Sequence, residues 1–559
     1  MKNPLPLFLI YPMRWQLFWA VTSCFVATAH WSGVYYQYDS IKWWLLDIFL
    51  AAYTFIKVAN CKQIAVTKFG MVVLFFIAWS LISSMWASHH YASLELGARY
   101  LLIASSIYFL SRDLNRESAR ELLLNTAIFS CLSFFLVLTT ERYILKHPFQ
   151  NANYTPLGFI NHAGHVYIFW IPILFWGTFQ AKKYVSILCT LLLLATLTLL
   201  ADSAIRASIV GLGVACVVTA GLFWKSNRQF SIKALGLLGL LSIALLTVSI
   251  SQPNDTMINT KLTRVANAPD LNYASSDRII MYKNTFKMII DNPFGVGLNN
   301  FEYIHPLYGQ AGTANASPFM NETEILKQPH NFYLKSVSET GWLGGALLLG
   351  VLLGLLAPAF SAKKSIDQWS GVYLLVLCAT FTNGLFCAVF SNPASLWFCL
   401  ILTACYIATY KQSSWFSGVN ITTPSRSLAF GFIAIFLGYS CSNLTSQILA
   451  NDGFKTQNSL KLARAVDIYP GNERAWFDLA TTHFEQDGNP AEAISAMQHF
   501  LSLYPYHIGA RYKITQWYCF QRDFSHCKTE ALRLLSYYPS FKPTQQLYLQ
   551  ANEALRRTQ

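Results

Sequence analysis

The stretch YVSILCTLLLLATLTLLADSAIRASIVGLGVACVVTAGLF, residues 184–223, holds two strongly apolar runs separated by a few polar residues. Each run approaches the length of about 20 residues that lets a helix cross a hydrocarbon core of roughly 30 Å. Apolar segments of this kind recur through the first 450 residues. The sequence therefore predicts an all-α, polytopic membrane helix bundle.

The composition fits a lipid environment. Hydrophobic residues make up 54% of the 559 residues, aromatic residues 15% and charged residues only 12%. A soluble globule of this composition would expose large apolar patches. We expect about 12 to 13 membrane spans. They are predicted near residues 16–36, 43–60, 69–86, 97–111, 121–141, 157–179, 184–201, 205–224, 233–252, 334–360, 371–390, 394–410 and 427–447.

Lysine and arginine accumulate in every second loop, as in loops that stay on the cytoplasmic side during insertion. The basic residues of these loops are Lys57, Lys62, Lys68, Arg112, Arg116, Arg120, Lys182, Lys183, Lys225, Arg228, Lys233, Lys363, Lys364 and Lys411. Because Lys2 and Arg14 precede the first span, we expect a cytoplasmic N-terminus and an outer C-terminal segment. The net charge of +14 then mainly reflects topology, so no nucleic-acid partner is expected.

The chain divides into a transmembrane domain, residues 1–450, and a polar C-terminal domain, residues 451–559. The first contains a large outer loop, residues 252–330, which is long enough to have a function of its own. Within this loop, residues 277–290 predict an amphipathic helix with Ile279, Tyr282, Phe286 and Ile289 on one face.

Three Tyr-Pro pairs recur in the C-terminal domain, at residues 469–470, 504–505 and 538–539. The spacing resembles that of tetratricopeptide repeats, which are pairs of helices whose stacking creates a concave peptide-binding surface. Cys519 and Cys527 also lie in this domain, in what is expected to be an oxidising compartment, so we predict a disulfide between them. No Cys-x-x-Cys spacing and no acidic cluster indicates a metal site.

Two arginines are candidates for anion binding. Arg206 follows Asp202 and Ser203 between two apolar runs, where a guanidinium must reach lipid phosphate or another anion. Arg278 opens the predicted amphipathic helix, after Ser275 to Asp277, which resemble N-cap residues. Its alternative role is an ion pair with Asp277 or plain solvation.

Histidines and asparagines open two of the spans. His330 and Asn331 come directly after Pro329, where the backbone N–H groups of a helix N-terminus could bind a phosphate oxygen. A structural capping role is the alternative. Asn161 and His162 stand at the outer end of the sixth span and are open to the same two interpretations.

Two further segments carry a family resemblance. DNPFGVGLNNF, residues 291–301, and QPHNFYLKSVSETGWLGG, residues 328–345, together with the Ser/Arg element DSAIRAS, resemble the O-antigen ligase and polymerase superfamily. The His-Asn pair, Glu339, Gly341 and Gly344 are the most specific matches. The C-terminal repeats narrow the resemblance to PglL-type bacterial O-linked protein oligosaccharyltransferases, including pilin-specific ones.

The resemblance implies an inner-membrane enzyme that transfers a glycan from undecaprenyl diphosphate to a hydroxyl group on the periplasmic side, without a metal or other cofactor. Arg206 and Arg278 would stabilise the diphosphate, because a guanidinium binds phosphate oxygens in a bidentate manner. His330 would complete the diphosphate site or accept the hydroxyl proton. The predicted substrate-binding residues are Asn161, His162, Ser203, Asn331 and Glu339.

Several functions remain open at this point. The C-terminal domain favours a protein acceptor, such as a pilin. An O-antigen ligase acting on lipid A core is the first alternative, and a polymerase acting on a growing glycan is another. A multispanning transporter would show internal repeats and broken helices with acidic residues, which the sequence does not suggest. A scaffold that recruits a partner without transferring sugar is the last alternative.

Overall fold

A computed structural model describes residues 12–145, 154–180, 182–251, 257–309, 325–361, 367–422 and 426–558. Lys2, Lys363 and Lys364, which enter the topology prediction, lie outside these ranges, as do residues 252–256 and 310–324 of the predicted outer loop. The described chain is almost entirely helical, which confirms the all-α prediction apart from two small antiparallel sheets.

The first nine helices form the first part of the bundle. They are α1 (Pro12–Thr28), α2 (Ser40–Asn60), α3 (Lys68–Ile82), α4 (His90–Asp113), α5 (Arg116–Thr139), α6 (Ile160–Gly177), α7 (Lys183–Ser203), α8 (Arg206–Phe223) and α9 (Arg228–Ser251). Strand β1 (Gln63–Thr67) precedes α3, and the hairpin of β2 (Tyr154–Thr155) and β3 (Gly158–Phe159) precedes α6. Nearly every residue of α6 from Ala163 onward is buried, so this helix lies at the centre of the bundle.

The next segment carries the short helices α10 (Met257–Ala266), α11 (Leu271–Ala274), α12 (Arg278–Asp291) and α13 (Phe301–Ile304). The bundle resumes with α14 (Phe332–Ser361), α15 (Gln368–Gly384), α16 (Pro393–Thr409), strand β4 (Gly418–Thr422) and α17 (Arg426–Thr456). Polar caps start several of these elements: the side chains of Asp367 and Asn392 accept backbone N–H groups at the beginnings of α15 and α16.

Each of the thirteen predicted spans overlaps one helix, but the number that can cross a membrane by length and hydropathy is smaller. Seven helices of the described chain qualify: α3, α5, α7, α8, α9, α14 and α17. Helices α2 and α4 carry charges that lower their hydropathy, and the bundle buries these charges as the ion pairs of Arg99 with Asp47 and Glu95. The chain is a multi-pass membrane protein.

Loops that the charge pattern assigns to one side contact one another. Strand β1 pairs with β4, with Gln63 opposite Thr422. Lys411 Nζ donates to the Leu114 carbonyl at 2.9 Å, and Arg116 Nε donates to the Thr409 carbonyl at 3.3 Å. These contacts agree with the predicted alternation of basic and non-basic loops, while the compartment on each side remains a prediction.

Six C-terminal helices follow: α18 (Ser459–Ile468), α19 (Glu473–Glu485), α20 (Pro490–Leu503), α21 (Ile508–Phe520), α22 (Phe524–Tyr537) and α23 (Lys542–Thr558). We call them the C-terminal helices. Tyr469, Tyr504 and Tyr538 are the buried C-caps of α18, α20 and α22, so the Tyr-Pro pairs end three equivalent helices. The likeness to tetratricopeptide repeats stays a prediction.

Two further observations concern this part of the chain. Cys519 and Cys527 form a disulfide, which confirms the predicted pairing. Helix α17 runs through residue 450 without a break, so the predicted domain boundary falls inside a helix. The hydrophobic cluster of the C-terminal helices also includes Tyr303 of α13, which ties them to the outer loop.

Candidate active site

The two family-like motifs join through their backbones. Val296 N donates to the Ser338 carbonyl at 3.0 Å, and Gly297 N donates to the Glu339 carbonyl at 2.9 Å. Trp342 N donates to the Pro293 carbonyl at 3.0 Å. The turn after α12 is therefore anchored on an interruption of α14.

Glycine is required on both sides of this contact. Gly341 interrupts α14 with φ of 71°, and a Cβ added there would overlap the Pro293 carbonyl oxygen. Gly295 has φ of 80°, and a Cβ there would overlap the Glu339 carbonyl. Residues with side chains rarely adopt this left-handed conformation, so only glycine satisfies both conditions. Gly297, with φ of 100°, also adopts this conformation.

A polar cavity of about 200 Å³ opens beside this contact. Its wall comes from the start of α6, helix α13, the first turns of α14 and the segment before α16. The polar side chains that line it include His162, Glu302, Lys327, Lys335, Glu339 and Asn392. Carboxylates, ammonium groups and an imidazole thus face one small volume, an arrangement suited to acid–base chemistry on a polar substrate.

Two predicted substrate-binding residues lie in this cavity. His162 stands in the first turn of α6, after the β2–β3 hairpin, and its buried Nδ1 has no hydrogen-bond partner among the described residues. Glu339 is buried, its Oε1 accepts the Phe301 N–H at 3.3 Å, and Lys335 Nζ lies 3.7 Å from the same oxygen. Glu339 therefore also stabilises the cavity wall, through its hydrogen bond from the Phe301 backbone.

Arg206 binds the turn that leads into α12. It is the first residue of α8, two residues after Ala204, which ends α7 in the left-handed conformation. One guanidinium nitrogen donates to the Ala274 carbonyl at 3.1 Å, and the other donates to Ser276 Oγ at 3.0 Å. The two candidate arginines are thereby joined through residues 274–278, which we call the arginine turn.

Arg278 is the last residue of the arginine turn and the first residue of α12. Within the described part of the chain its guanidinium makes no hydrogen bond or ion pair. Its charge acts on His330 and Tyr282, which places it near the end of the loop before α14. A cation held near other site residues, with its donors not engaged by other described residues, is suited to an anionic substrate group.

The predicted cap of α12 has the right position, but another side chain accepts the backbone N–H group. Asp277 is the N-cap, but it has φ of 62° and its carboxylate accepts no cap hydrogen bond. Instead, Asp277 is buried and accepts the Asn272 amide at 2.6 Å, while Asn272 Oδ1 accepts the Ile280 N–H at 3.1 Å. Asn272 therefore caps the helix from five residues upstream of Asp277.

The predicted apolar face of α12 is covered by protein only in part. Thr285, Met288 and Ile289 are the buried residues of this helix, whereas Phe286 is 51% exposed. Met288 belongs to one hydrophobic cluster with Phe301 of α13, so the protein covers this side of α12 and leaves Phe286 outside.

His330 lies just before α14 in the left-handed conformation, with φ of 51°. The Tyr282 hydroxyl lies within hydrogen-bonding distance of the His330 carbonyl, 3.2 Å, and of the Leu385 carbonyl, 3.0 Å. Burial, together with the nearby charges of Arg278 and His162, lowers the pKa of His330 to about 4. The imidazole is therefore neutral at pH 7. Asn331, beside it, accepts the Leu334 N–H at 2.9 Å and caps α14.

The remaining predicted residues lie outside the cavity lining. Ser203 is buried at the end of α7, and its hydroxyl donates to the Leu200 carbonyl at 3.1 Å within its own helix. Asn161 is partly buried at the start of α6. Substrate contact by these two residues stays a prediction. Within the described ranges, no group of three His, Cys, Asp or Glu side chains could hold a metal ion.

Sequence reasoning missed Glu302, Lys327 and the cavity-facing role of Lys335. Glu302 directly follows DNPFGVGLNNF, and Lys335 lies inside QPHNFYLKSVSETGWLGG. Both residues are therefore next to or within the segments that carry the family resemblance. Nothing in their spacing indicates that they share a cavity, because the contact depends on how α13 packs on α14.

The C-terminal helices contact the wall of the cavity at what we call the junction: Glu302, Tyr303, His89, Glu473 and Tyr504. The Tyr504 hydroxyl donates to the Glu302 carbonyl at 3.0 Å, and the Tyr504 and Tyr303 rings lie 4.5 Å apart. His89 stacks on Tyr303 and lies 3.4 Å from the Glu473 carboxylate. Burial opposes protonation of His89, but the Glu473 carboxylate outweighs it and raises the pKa of His89.

Comparison with known proteins adds one match. No curated protein matches the chain. A family model described as O-antigen ligase matches residues 189–349. This segment contains the arginine turn, Arg206, Glu302, His330 and Glu339, whereas His162 and the C-terminal helices lie outside it. The match confirms the resemblance to the O-antigen ligase and polymerase superfamily over residues 189–349, and members of that family transfer glycans.

Proposed function

We propose that this protein is an O-linked oligosaccharyltransferase of the bacterial inner membrane. It moves a glycan from undecaprenyl diphosphate to a Ser or Thr hydroxyl of a periplasmic protein, such as a pilin. The reaction is a direct displacement at the anomeric carbon, without a metal and without a covalent enzyme intermediate.

The arginines suit the donor side of this reaction. Breaking the bond between the anomeric carbon and the diphosphate leaves negative charge on the diphosphate oxygen. Arg278 has its guanidinium available in the described structure, and Arg206 holds the turn that presents it. His330, neutral at pH 7 and near Arg278, supplies a further polar group for the diphosphate or the reacting hydroxyl.

The observation that carries the choice of a protein acceptor is the junction. Tyr504 of the C-terminal helices donates to Glu302, whose side chain lines the cavity. A protein bound by these helices would therefore lie next to the reacting groups, which lowers the entropy cost of bringing the hydroxyl to the donor.

The test is transfer in cells that supply a lipid-linked oligosaccharide and a candidate pilin, read by the intact mass of the pilin. Wild-type protein is expected to add one glycan mass, and Arg278→Ala and His330→Ala are expected to leave the pilin unmodified. Lys283→Ala is the matched control, because Lys283 is an exposed cation on the same helix. A pilin that stays bare with wild-type protein contradicts the proposal.

An O-antigen ligase is the second candidate, favoured by the description of the matching family. The same cells distinguish the two functions if they also produce lipid A core. Glycan that appears on lipopolysaccharide and not on the pilin supports the ligase. In that case the donor site keeps its role, and the C-terminal helices lose the role of acceptor binding.

A further inference from the structure

The cavity contains two carboxylates that differ in their surroundings. Glu339 accepts a backbone N–H from Phe301 and lies 3.7 Å from Lys335 Nζ, so it is committed to the cavity wall. Glu302 extends from the four-residue helix α13 and lines the cavity, with the Tyr303 hydroxyl beside it. Of the two, Glu302 is the carboxylate that a substrate in the cavity would meet.

Glu302 also marks one end of the site. Its backbone carbonyl accepts the Tyr504 hydroxyl of the C-terminal helices, which places it where the cavity meets the proposed acceptor-binding part. Arg206 and Arg278 lie at the arginine turn and do not line the cavity. A displacement needs cations at the departing diphosphate and a base at the incoming hydroxyl; the arginine turn supplies the cations, and the cavity supplies a carboxylate.

We propose that Glu302 is the general base that removes the proton from the acceptor hydroxyl. This inference rests on the proposed glycan transfer. The hydroxyl oxygen forms a bond to the anomeric carbon while the bond between that carbon and the diphosphate oxygen breaks. The electron pair of the broken bond leaves on the diphosphate, and the hydroxyl proton passes to the Glu302 carboxylate.

The protonation behaviour of the alternatives agrees with this assignment. Burial raises the pKa of Glu302, although Lys327 opposes the rise, whereas the pKa of His330 is lowered to about 4. A carboxylate whose pKa is raised accepts a proton more readily, whereas the imidazole of His330, whose pKa is lowered, accepts one less readily.

Several groups face Glu302 from the elements around it. The basic groups are His89, His162, Lys327 and Lys335. The acidic and phenolic groups are Tyr36, Tyr303, Glu339, Glu473 and Tyr504.

The experiment measures kcat and the KM for the donor against pH, with full-length protein in nanodiscs, an undecaprenyl-diphosphate glycan and a pilin. In wild type, kcat is expected to fall in acid as Glu302 becomes protonated. In Glu302→Gln, we expect kcat to fall about 100-fold and the acid limb to disappear. The KM for the donor should change less than about threefold. Glu553→Gln, an exposed carboxylate of α23, is the control and should match wild type.

The outcomes separate the two proposals. A Glu302→Gln variant that keeps kcat, or keeps the acid limb of wild type, overturns the role of Glu302 while the transferase proposal stands. Wild type that modifies only lipid A core overturns the protein acceptor, and the same pH comparison with that acceptor then decides the role of Glu302. If wild type modifies neither acceptor, both proposals fail. Should the Gln variant not fold, Glu302→Asp decides: a slower enzyme with a retained acid limb supports the base, and full activity contradicts it.

Discussion

The arginine turn and the junction are two neighbouring regions built in different ways. The arginine turn is short, and its contacts join Arg206 to Ala274 and Ser276 so that Arg278 is presented at the start of α12. The junction brings together side chains from distant parts of the chain, with Glu302, His89, Glu473 and Tyr504 meeting around Tyr303. One region presents a cation, and the other surrounds a carboxylate.

Under the proposed function, this difference explains how one site would serve two substrates. A diphosphate leaving group needs cationic donors that are held in place before the reaction. In the arginine turn, Arg206 binds the backbone and side chain that precede Arg278 and so fixes its position. A protein acceptor needs a separate binding part in contact with the reacting groups, and among the described residues the junction provides such a contact. The predictions that follow test this division, from the largest expected effect to the smallest.

The largest effect should come from the arginine turn. Arg278→Ala is expected to reduce transfer by about 100- to 1000-fold, because it removes a charge that stabilises the departing diphosphate. Thermal stability in detergent should be unchanged, since the described structure shows no hydrogen bond from this guanidinium. Arg206→Ala should lose activity and also melt at a lower temperature, because it loses two hydrogen bonds to the turn.

Rates of glycan transfer and melting curves of the two variants check this prediction, with Lys283→Ala as the control. Equal loss of melting temperature in both variants would show that Arg278 is structural. Retention of activity in Arg278→Lys would show that charge alone suffices, whereas we expect a clear loss because lysine cannot bind phosphate in a bidentate manner.

The next effect concerns the contact between the two motifs, which supports the cavity. Gly341→Ala is expected to reduce transfer by roughly 10-fold and to cost about 1–3 kcal/mol of stability, because alanine is strained at φ of 71° and its Cβ overlaps Pro293. Gly239→Ala is the control, since no atom lies within 4 Å of a Cβ added there. Activity assays and thermal melts decide, and a fully active Gly341→Ala would remove the structural role of this contact.

A smaller effect should come from the junction. Tyr504→Phe removes the hydrogen bond to the Glu302 carbonyl, which is worth about 1 kcal/mol, so kcat/KM for a protein acceptor should fall about fivefold. Tyr506→Phe, a neighbouring tyrosine with a ring contact to Tyr537, should have no effect. Steady-state kinetics with purified pilin measure the difference. If Tyr504→Phe matches wild type, the junction does not contribute to acceptor use.

The last prediction concerns stability rather than glycan transfer, namely the contribution of His330 to acid stability. Its pKa is about 4 in the folded protein and 6.5 when unperturbed, so between these values the unfolded chain binds more protons. The stability that a neutral His330 maintains is present above pH 6.5 and is lost as the pH falls towards 4. His330→Gln should therefore lose less melting temperature than wild type between pH 6.5 and pH 4, whereas the exposed His90→Gln control should behave as wild type does.

The arginine turn was largely predictable from the sequence, whereas the junction was not. Hydropathy predicted the positions of the helices. Arg206, Arg278 and His330 could be identified because they lie in short motifs whose residues are close in sequence and also in space. The capping by Asn272 was not predicted, because Asn272 reaches the Ile280 N–H from eight residues upstream and only the fold of the turn between them brings the two together. Seven described helices combine the length and hydropathy of a span; α1, α15 and α16 have only 17 residues each, and α2 and α4 carry charges such as the ion pair of Arg99 with Asp47.

The junction could not be predicted from the sequence. Glu302 and Tyr504 are separated by about two hundred residues, and neither carries a motif that indicates a shared surface. The cavity arises from side chains of α6, α13 and α14 whose spacing along the chain is irregular. Such contacts depend on tertiary packing and become visible only in the folded structure.

The most direct test of the account is donor turnover by purified protein in nanodiscs, with an undecaprenyl-diphosphate glycan, a pilin and lipid A core all present. Mass spectrometry would follow released undecaprenyl diphosphate and both acceptors. We predict that wild type releases the diphosphate in equal amount to glycosylated pilin, and that Arg278→Ala releases none. Glycan on lipid A core alone, or no release of diphosphate by wild type, would contradict the account.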